Sequence, residues 1–252
     1  MHAIMLAAGV GQRLFGNDPT AKPKSLLEFG GKSLIERHLD AIKNLDIESL
    51  TLVVGYRAEE LRATIRGLDR DGFVSFVENP DYREGSAVSL WCAREVLRSG
   101  AEVIFMDADV LYHTEILRRL VRTDIANCLL YDRDIEPGDE PVKICLKGGL
   151  PAEFGKIVSD AFDGFGEWVG FLKMAPKIAG QLADRLDHFM ANGGRDRPME
   201  DAVRDLVRGL PLGTFGIVDV TDLPWIEIDF PEDVAKAREI VLPAIERNPQ
   251  TR

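Results

Sequence analysis

The sequence of 252 residues contains only three cysteines, Cys92, Cys128 and Cys145. They are far apart, odd in number and without metal-ligand spacing, which argues against a disulfide framework or a thiolate zinc site. The four histidines form neither a triad nor a ligand pattern, and no serine or cysteine sits in a nucleophile elbow. No apolar run approaches the roughly 20 residues that a membrane span needs. Basic residues are outnumbered, 31 against 42 acidic, for a formal net charge of −11. That balance argues against DNA or RNA as the main partner. The first strand pattern begins beside Met1 and leaves no room for a cleaved leader, so the expectation is a cytoplasmic chain without membrane insertion. What the chain does have is 45% apolar residues, enough to bury one sizeable core in a single α/β domain spanning residues 1–252.

Strand-like apolar runs recur at residues 2–5, 50–54, 74–77 and 103–106, with helical spacing between them. Leu34, Leu39 and Ile42 mark one helix face, Leu61 and Ile65 a second, and Leu90, Ala93 and Leu97 a third. This β-α-β-α order predicts a three-layer, mostly parallel sheet with ligands at the carboxyl ends of its strands. From about residue 125 the pattern changes to short strands at 125–130, 142–146 and 169–174 among Gly, Pro and Asp turns, which predicts antiparallel additions. Two further helices, late strands at 215–220 and 225–228, and a last helix opened by Pro231 complete the pattern, with a frayed tail at residues 244–252.

The segment from Leu6 to Leu14, followed by Pro23-Lys24, leaves the first strand at the sheet's carboxyl edge. Small residues and two glycines, Gly9 and Gly11, let backbone N–H groups approach an anion, and Arg13 and Lys24 add two cations. A dinucleotide fingerprint fails here, because Leu14 stands at the third glycine position. Gly30-Gly31-Lys32-Ser33 imitates the end of a P-loop but lacks its earlier glycine, and Ser33 with Glu36 reads as a helix capping box.

Acidic residues form two separated groups. Asp107 and Asp109 follow the strand at 103–106, a pattern that fits either a solvated turn or a pair of ligands for a hard cation such as Mg²⁺. Glu227 and Asp229 share strand parity, and Asp229 is the better ligand candidate. Glu232 and Asp233 fit the first turn of the last helix. Glu78 ends the third strand, and Ser86-Ala87 opens a helix whose N–H groups suit a nucleotide. Lys143 either points at a phosphate or faces solvent on an edge strand. A phosphate cradle, two cations and separated acids fit phosphoryl or nucleotidyl transfer, which needs no general base when the attacker is already an ionised phosphate.

The run from Leu6 to Lys24, continued by Gly31-Lys32-Ser33-Leu34-Ile35, resembles the signature of the sugar-1-phosphate nucleotidyltransferases. Asn79-Pro80-Asp81-Tyr82, Ser86 to Trp91, Gly166-Glu167-Trp168-Val169-Gly170, Glu200-Asp201-Ala202 and Leu223 to Asp229 are similar to the phosphocholine cytidylyltransferase-like branch. The resemblance implies a Rossmann-like α/β/α fold with a mixed, mostly parallel sheet. It implies a nucleotide-binding half at residues 1–124 and an acceptor-binding half at 125–243. It implies Mg²⁺-dependent transfer of CMP from CTP to a small phosphorylated alcohol or amino-alcohol, with pyrophosphate released. Leu6, Ala7, Ala8, Gly9, Gly11, Glu78, Ser86 and Ala87 would then hold the nucleotide, and Arg13 and Lys24 the phosphates. Asp107, Asp109 and Asp229 would serve the metal. Tyr82, Lys143, Glu167, Trp168, Glu200 and Asp201 would face the acceptor, with Tyr82 and Trp168 as candidates for an aromatic cage. The alternatives are a sugar or inositol phosphate or phosphonate acceptor, a nucleotide-sugar glycosyltransferase, and a catalytically silent regulatory subunit.

Overall fold

The computed structural model describes residues 1–18, 20–69, 71–135, 140–158 and 162–247. The first part of the chain runs β1 (His2–Ala7), α1 (Gln12–Phe15), the hairpin β2 (Glu28–Phe29) and β3 (Lys32–Ser33), α2 (Leu34–Ile42), β4 (Ser49–Val54) and α3 (Ala58–Leu68). It continues through β5 (Val74–Glu78), α4 (Ser86–Cys92), α5 (Arg94–Leu97), β6 (Val103–Asp107), β7 (Val110–Tyr112) and α6 (Glu115–Arg122). The second part holds β8 (Cys128–Asp132), β9 (Lys143–Lys147), β10 (Leu150–Gly155), the long β11 (Gly164–Met174), α7 (Pro176–Ala191) and α8 (Met199–Gly209). β12 (Gly216–Asp219), β13 (Trp225–Glu227), α9 (Pro231–Lys236) and α10 (Leu242–Arg247) follow.

Among the described residues one sheet runs in the order β10-β9-β11-β6-β1-β4-β5, with β8 paired to β11 and β12 paired to β8. The β1, β4, β5 and β6 strands are parallel, while β11 runs antiparallel to β6, β8 and β9. This is the mixed, mostly parallel three-layer arrangement expected. Alternation along β1 builds both sides of the core. Ala3, Met5 and Ala7 pack with Leu39 of α2, Leu61 of α3 and Leu117 of α6. Ile4, on the other face, joins Leu90 of α4, Leu182 of α7 and Val203 of α8. A smaller cluster of Phe29, Ile226, Ile228, Val241 and Leu242 fastens the C-terminal helices against the hairpin and β13.

Several local expectations hold. Ser33 caps α2 by accepting from the Glu36 N–H at 3.3 Å, and Pro231 occupies the first turn of α9. The Gly30-Gly31 pair is the turn of the β2–β3 hairpin, both residues at positive φ. Other expectations need correction. The helix marked by Leu90, Ala93 and Leu97 is two helices, broken at Ala93. The apolar pattern does not mark β7, β10 or the β2–β3 hairpin: β7 and the hairpin strands are only two or three residues long, and β10 shifts register against β9 between Pro151 and Glu153. Residues 244–247, expected in a frayed tail, are helical, because Leu242 and its neighbours bury an apolar face.

Candidate functional site

β1 continues to β4 on one side of the sheet, while β6 lies on the other. The crevice between the carboxyl ends of β1 and β6 is therefore a topological switch point, where open α/β sheets bind ligands. The glycine loop leaves β1 here and Asp109 leaves β6, joined by the Ala108 N–H donating to the Leu6 carbonyl at 3.3 Å. Leu6, Ala7, Gly9, Gly11, Lys24, Ser25, Ala108 and Asp109 line one pocket of about 90 Å³. A larger pocket of about 610 Å³ between α7 and α8 contains none of these residues.

Asp229 reaches this crevice through β-pairing. β13 runs antiparallel to β7, and beyond it the Ile228 N–H donates to the Asp109 carbonyl at 3.0 Å. The Asp233 carboxylate accepts from the N–H groups of Asp229 and Phe230 at 2.8 and 2.7 Å, so this acid is a helix cap. Lys24 Nζ lies 3.0 Å from Asp109 Oδ2 and 2.6 Å from Asp229 Oδ1. Burial works against its charge, but Asp109 and then Asp229 overcome that, and its pKa is raised. Arg13 reaches the other oxygen of Asp229 at 2.8 Å, pairs with Glu140 at 2.6 Å and lies over the Phe230 ring. Glu140 also accepts from Lys156 at 2.9 Å, a contact that holds its carboxyl below the usual range against the effect of burial. Both cations of the cradle are thus paired with carboxylates across separations of up to 205 residues.

Oxygen atoms of Asp109, Glu227 and Asp229 all lie within 4.8 Å of one another. Three hard oxygen donors from carboxylates at this spacing fit a divalent cation such as magnesium. Glu227 keeps accessible surface at the foot of the crevice, yet surrounding protein and then the charge of Asp109 push its carboxyl well above the ordinary range. Asp107 is raised for the same reasons, burial first, with Asp109, Glu227 and Glu200 adding. The Glu200 carboxyl is raised by burial, and its Oε2 has no hydrogen-bond partner. Ser25 Oγ, also buried and without a partner, stands in the pocket beside Lys24 and was not singled out in the sequence.

Other candidates stand elsewhere. Glu78 is exposed on β5 and paired with Arg62 at 2.9 Å. The Ala8 methyl packs toward Gly55, while its carbonyl accepts from the Tyr56 N–H at 3.0 Å. The start of α4 is closed by protein: Ser86 Oγ accepts from the Met199 N–H at 2.8 Å, and the Ala87 N–H donates to the Arg197 carbonyl. Lys143 Nζ donates to the Lys156 carbonyl at 2.8 Å. Trp168 is 4% exposed, packed against Phe105 and Phe154, with its indole N–H on the Phe171 carbonyl. It is a core residue of β11, which leaves no ring face for a cage. Tyr82 is half-buried over Gly55. Asp201 pairs with Arg197 at 2.8 Å. Glu167 is pushed up to about 7 by burial and then by Asp132, opposed by Lys143. None of the four histidines lines the pocket; His38 is buried against Tyr112 and Phe171, and burial pulls its imidazole down to about 3.

The chain as a whole is similar to known proteins. A bifunctional IPC transferase and DIPP synthase of Rubrobacter xylanophilus is 32% identical over 247 residues, which cover 95% of this chain and 52% of that protein. The chain thus spans about half the length of that relative. Among solved structures, the inositol-1-phosphate CTP transferase from T. maritima superposes with a TM-score of 0.76 at 19% identity, covering 98% of this chain and 95% of the other. The CTP:phosphocholine cytidylyltransferase from Streptococcus pneumoniae gives a TM-score of 0.74 at 22% identity, covering 95% of this chain and 98% of the other. At such identities the two structures speak to the fold, and they agree with the resemblance read from the motifs. Residues 3–147, from β1 through β9, match the MobA-like NTP transferase domain. The chain belongs to that family.

Proposed function

We propose that this chain is a nucleotidyltransferase of cytidylyltransferase type, moving CMP from CTP to a small phosphorylated acceptor with release of pyrophosphate. The observation that carries this reading is Asp229 held between Arg13 and Lys24, with Asp109 on the far side of the same lysine. Two cations and a set of carboxylates meet at the mouth of a glycine loop, the charge pattern that a triphosphate and its counter-ion need. Asp109, Glu227 and Asp229 would hold the magnesium ion, which when bound supplies charge neutralisation at the phosphates.

The residues of this chain act by position and charge. Arg13 and Lys24 exchange their carboxylate partners for phosphate oxygens as the nucleotide enters. Gly9 and Gly11 admit the phosphates close to the backbone, and Ser25 Oγ offers a donor that no protein group uses. An ionised acceptor oxygen attacks the α-phosphorus in line; the acceptor–phosphorus bond forms as the bond to the bridging oxygen of pyrophosphate breaks. Lys24 stabilises the charge that develops there.

The acceptor reading favours hydrogen-bond donors over a quaternary ammonium. Trp168 is core, so of the two aromatic walls expected for a choline cage only the half-buried Tyr82 keeps an accessible face among the described residues. Glu200 and Asp107 instead offer carboxyl groups that suit hydroxyls or a primary amine. An inositol phosphate or a primary-amine phosphate or phosphonate therefore fits better than phosphocholine. The test is pyrophosphate release with CTP and each acceptor, with and without Mg²⁺. Faster release with inositol phosphate or phosphoethanolamine than with phosphocholine is expected; preference for phosphocholine overturns the acceptor reading, and no release with any pair overturns transfer itself. In the active pair, Lys24→Ala is expected to lower turnover by about 10³-fold, and near-normal turnover would remove Lys24 from the reaction.

A further inference from the structure

We infer that Tyr56 and Arg57, in the turn after β4, are positioning residues that tie the two phosphate-binding loops together and set where Lys24 stands. The inference rests on the reading of Lys24 given above. The Tyr56 N–H donates to the Ala8 carbonyl at 3.0 Å, which fixes the start of the glycine loop. Its phenol O–H donates to the Ala21 carbonyl at 2.9 Å. One Arg57 guanidinium nitrogen donates to the carbonyls of Thr20 and Ala21 at 2.6 and 3.0 Å, while Glu60 holds another. Two adjacent residues thus grip both sides of the cradle from behind, and neither lines the pocket.

The grip is transmitted over a short distance. Ala21 is buried, two residues separate it from Lys24, and Pro23 holds φ at −50° before the turn that carries the lysine. Gly55 adds to the same contact, because any Cβ there would meet Tyr82 at 2.5 Å and Ala8 at 3.1 Å.

Backbone conformation supplies an independent reason. Arg57 sits at φ 48°, ψ 40°, the one non-glycine residue at positive φ among the described residues. Glycine or asparagine adopts this conformation at lower cost. The Arg57 side chain makes no capping hydrogen bond to α3, so helix initiation does not account for an arginine here. Its two bonds to the lysine loop do, and strain retained beside a site of this kind is the expected signature of a constrained functional geometry.

Tyr56→Phe removes one bond to the loop and keeps the ring, while Arg57→Asn removes the grip and suits the left-handed backbone. Amide hydrogen exchange over residues 20–27, measured on the full ligand-free chain, is expected to accelerate at least about fivefold in both variants. Exchange in β1, β4 and β6 and the thermal midpoint are expected to stay near wild type, and Arg57→Lys is expected to restore part of the protection. With the acceptor found in the screen, kcat is expected to fall about tenfold while KM for CTP changes less than about threefold. Unchanged exchange over 20–27 in both variants overturns the proposal, as does a uniform rise across the sheet, which would mark an ordinary stabilising role. Absence of transfer by the wild-type chain would overturn the function proposed above, yet the exchange result would still decide whether this turn holds the lysine loop.

Discussion

Glu167, in the long β11, illustrates how one residue answers to its surroundings. Its carboxyl is pushed from an ordinary 4.5 up to about 7, burial being the main cause and Asp132 the next. Between those two values the folded protein retains a proton that the unfolded chain releases, so stability falls as pH rises through that window. The effect is about 1–3 kcal/mol once partial solvent access is allowed for. Glu167→Gln, a neutral mimic of the protonated acid, is expected to flatten the decline. Denaturant midpoints at pH 5 and pH 8 measure this, and a variant whose profile runs parallel to wild type would refute it. Lys24 shows the opposite case, a buried cation whose charge is secured by two carboxylates.

Among the elements, glycines of the two loops separate structural from functional constraint. Gly85, before α4, would place a Cβ only 2.0 Å from the Arg197 carbonyl, and its N–H donates to the Arg195 carbonyl at 2.8 Å. Gly85→Ala must push α4 and the segment before α8 apart, at a cost of about 2–4 kcal/mol. Gly9 has nothing within 4 Å of the position a Cβ would take and no positive φ. Gly9→Ala is expected to change stability by less than about 0.5 kcal/mol, yet to weaken CTP binding at least about tenfold by blocking close approach of the nucleotide. Denaturation and calorimetric titration of both variants check the pair; undiminished CTP binding by Gly9→Ala would remove that glycine from the cradle. The start of α4 also shows what the sequence leaves out at Ser86 and Ala87: a free helix N-terminus and one met by a distant backbone segment look alike in sequence.

At the scale of the molecule, β11 joins the parallel sheet to the antiparallel strands. Its first residues, from Gly164 to Glu167, pair with β9, and its last, from Phe171 to Met174, pair with β6. Gly170 lies at the handover with φ +89°, where a Cβ would meet Asp107 Oδ2 at 3.0 Å. Gly170→Ala is expected to lower stability by about 1–3 kcal/mol and to disturb Asp107 at the foot of the crevice. Thermal melts test this, and an unchanged midpoint would show that the bend tolerates a side chain. A net charge of −11 repels anions overall, so entry of the triphosphate proposed above would depend on the two cations that this fold gathers locally.

The chain's order of elements, the glycine loop, its two cations and the acids at the ends of β6 and β13 were legible from sequence. Each rests on neighbouring residues, on periodicity or on the position of a polar residue just after an apolar strand. Glu140, which pairs with Arg13 across 127 residues, was not, nor were the grip of Tyr56 and Arg57 on the lysine loop and the orphaned hydroxyl of Ser25. Those depend on which distant backbone groups come together and on which polar atoms lose water. Trp168 looked available in a stretch rich in turns, and only the pairing of β11 put its ring in the core. Local hydrogen bonding and side-chain alternation determined the glycine loop and the strands and helices around it, whereas long-range packing and desolvation decided the surroundings of Ser25, Glu140 and Trp168.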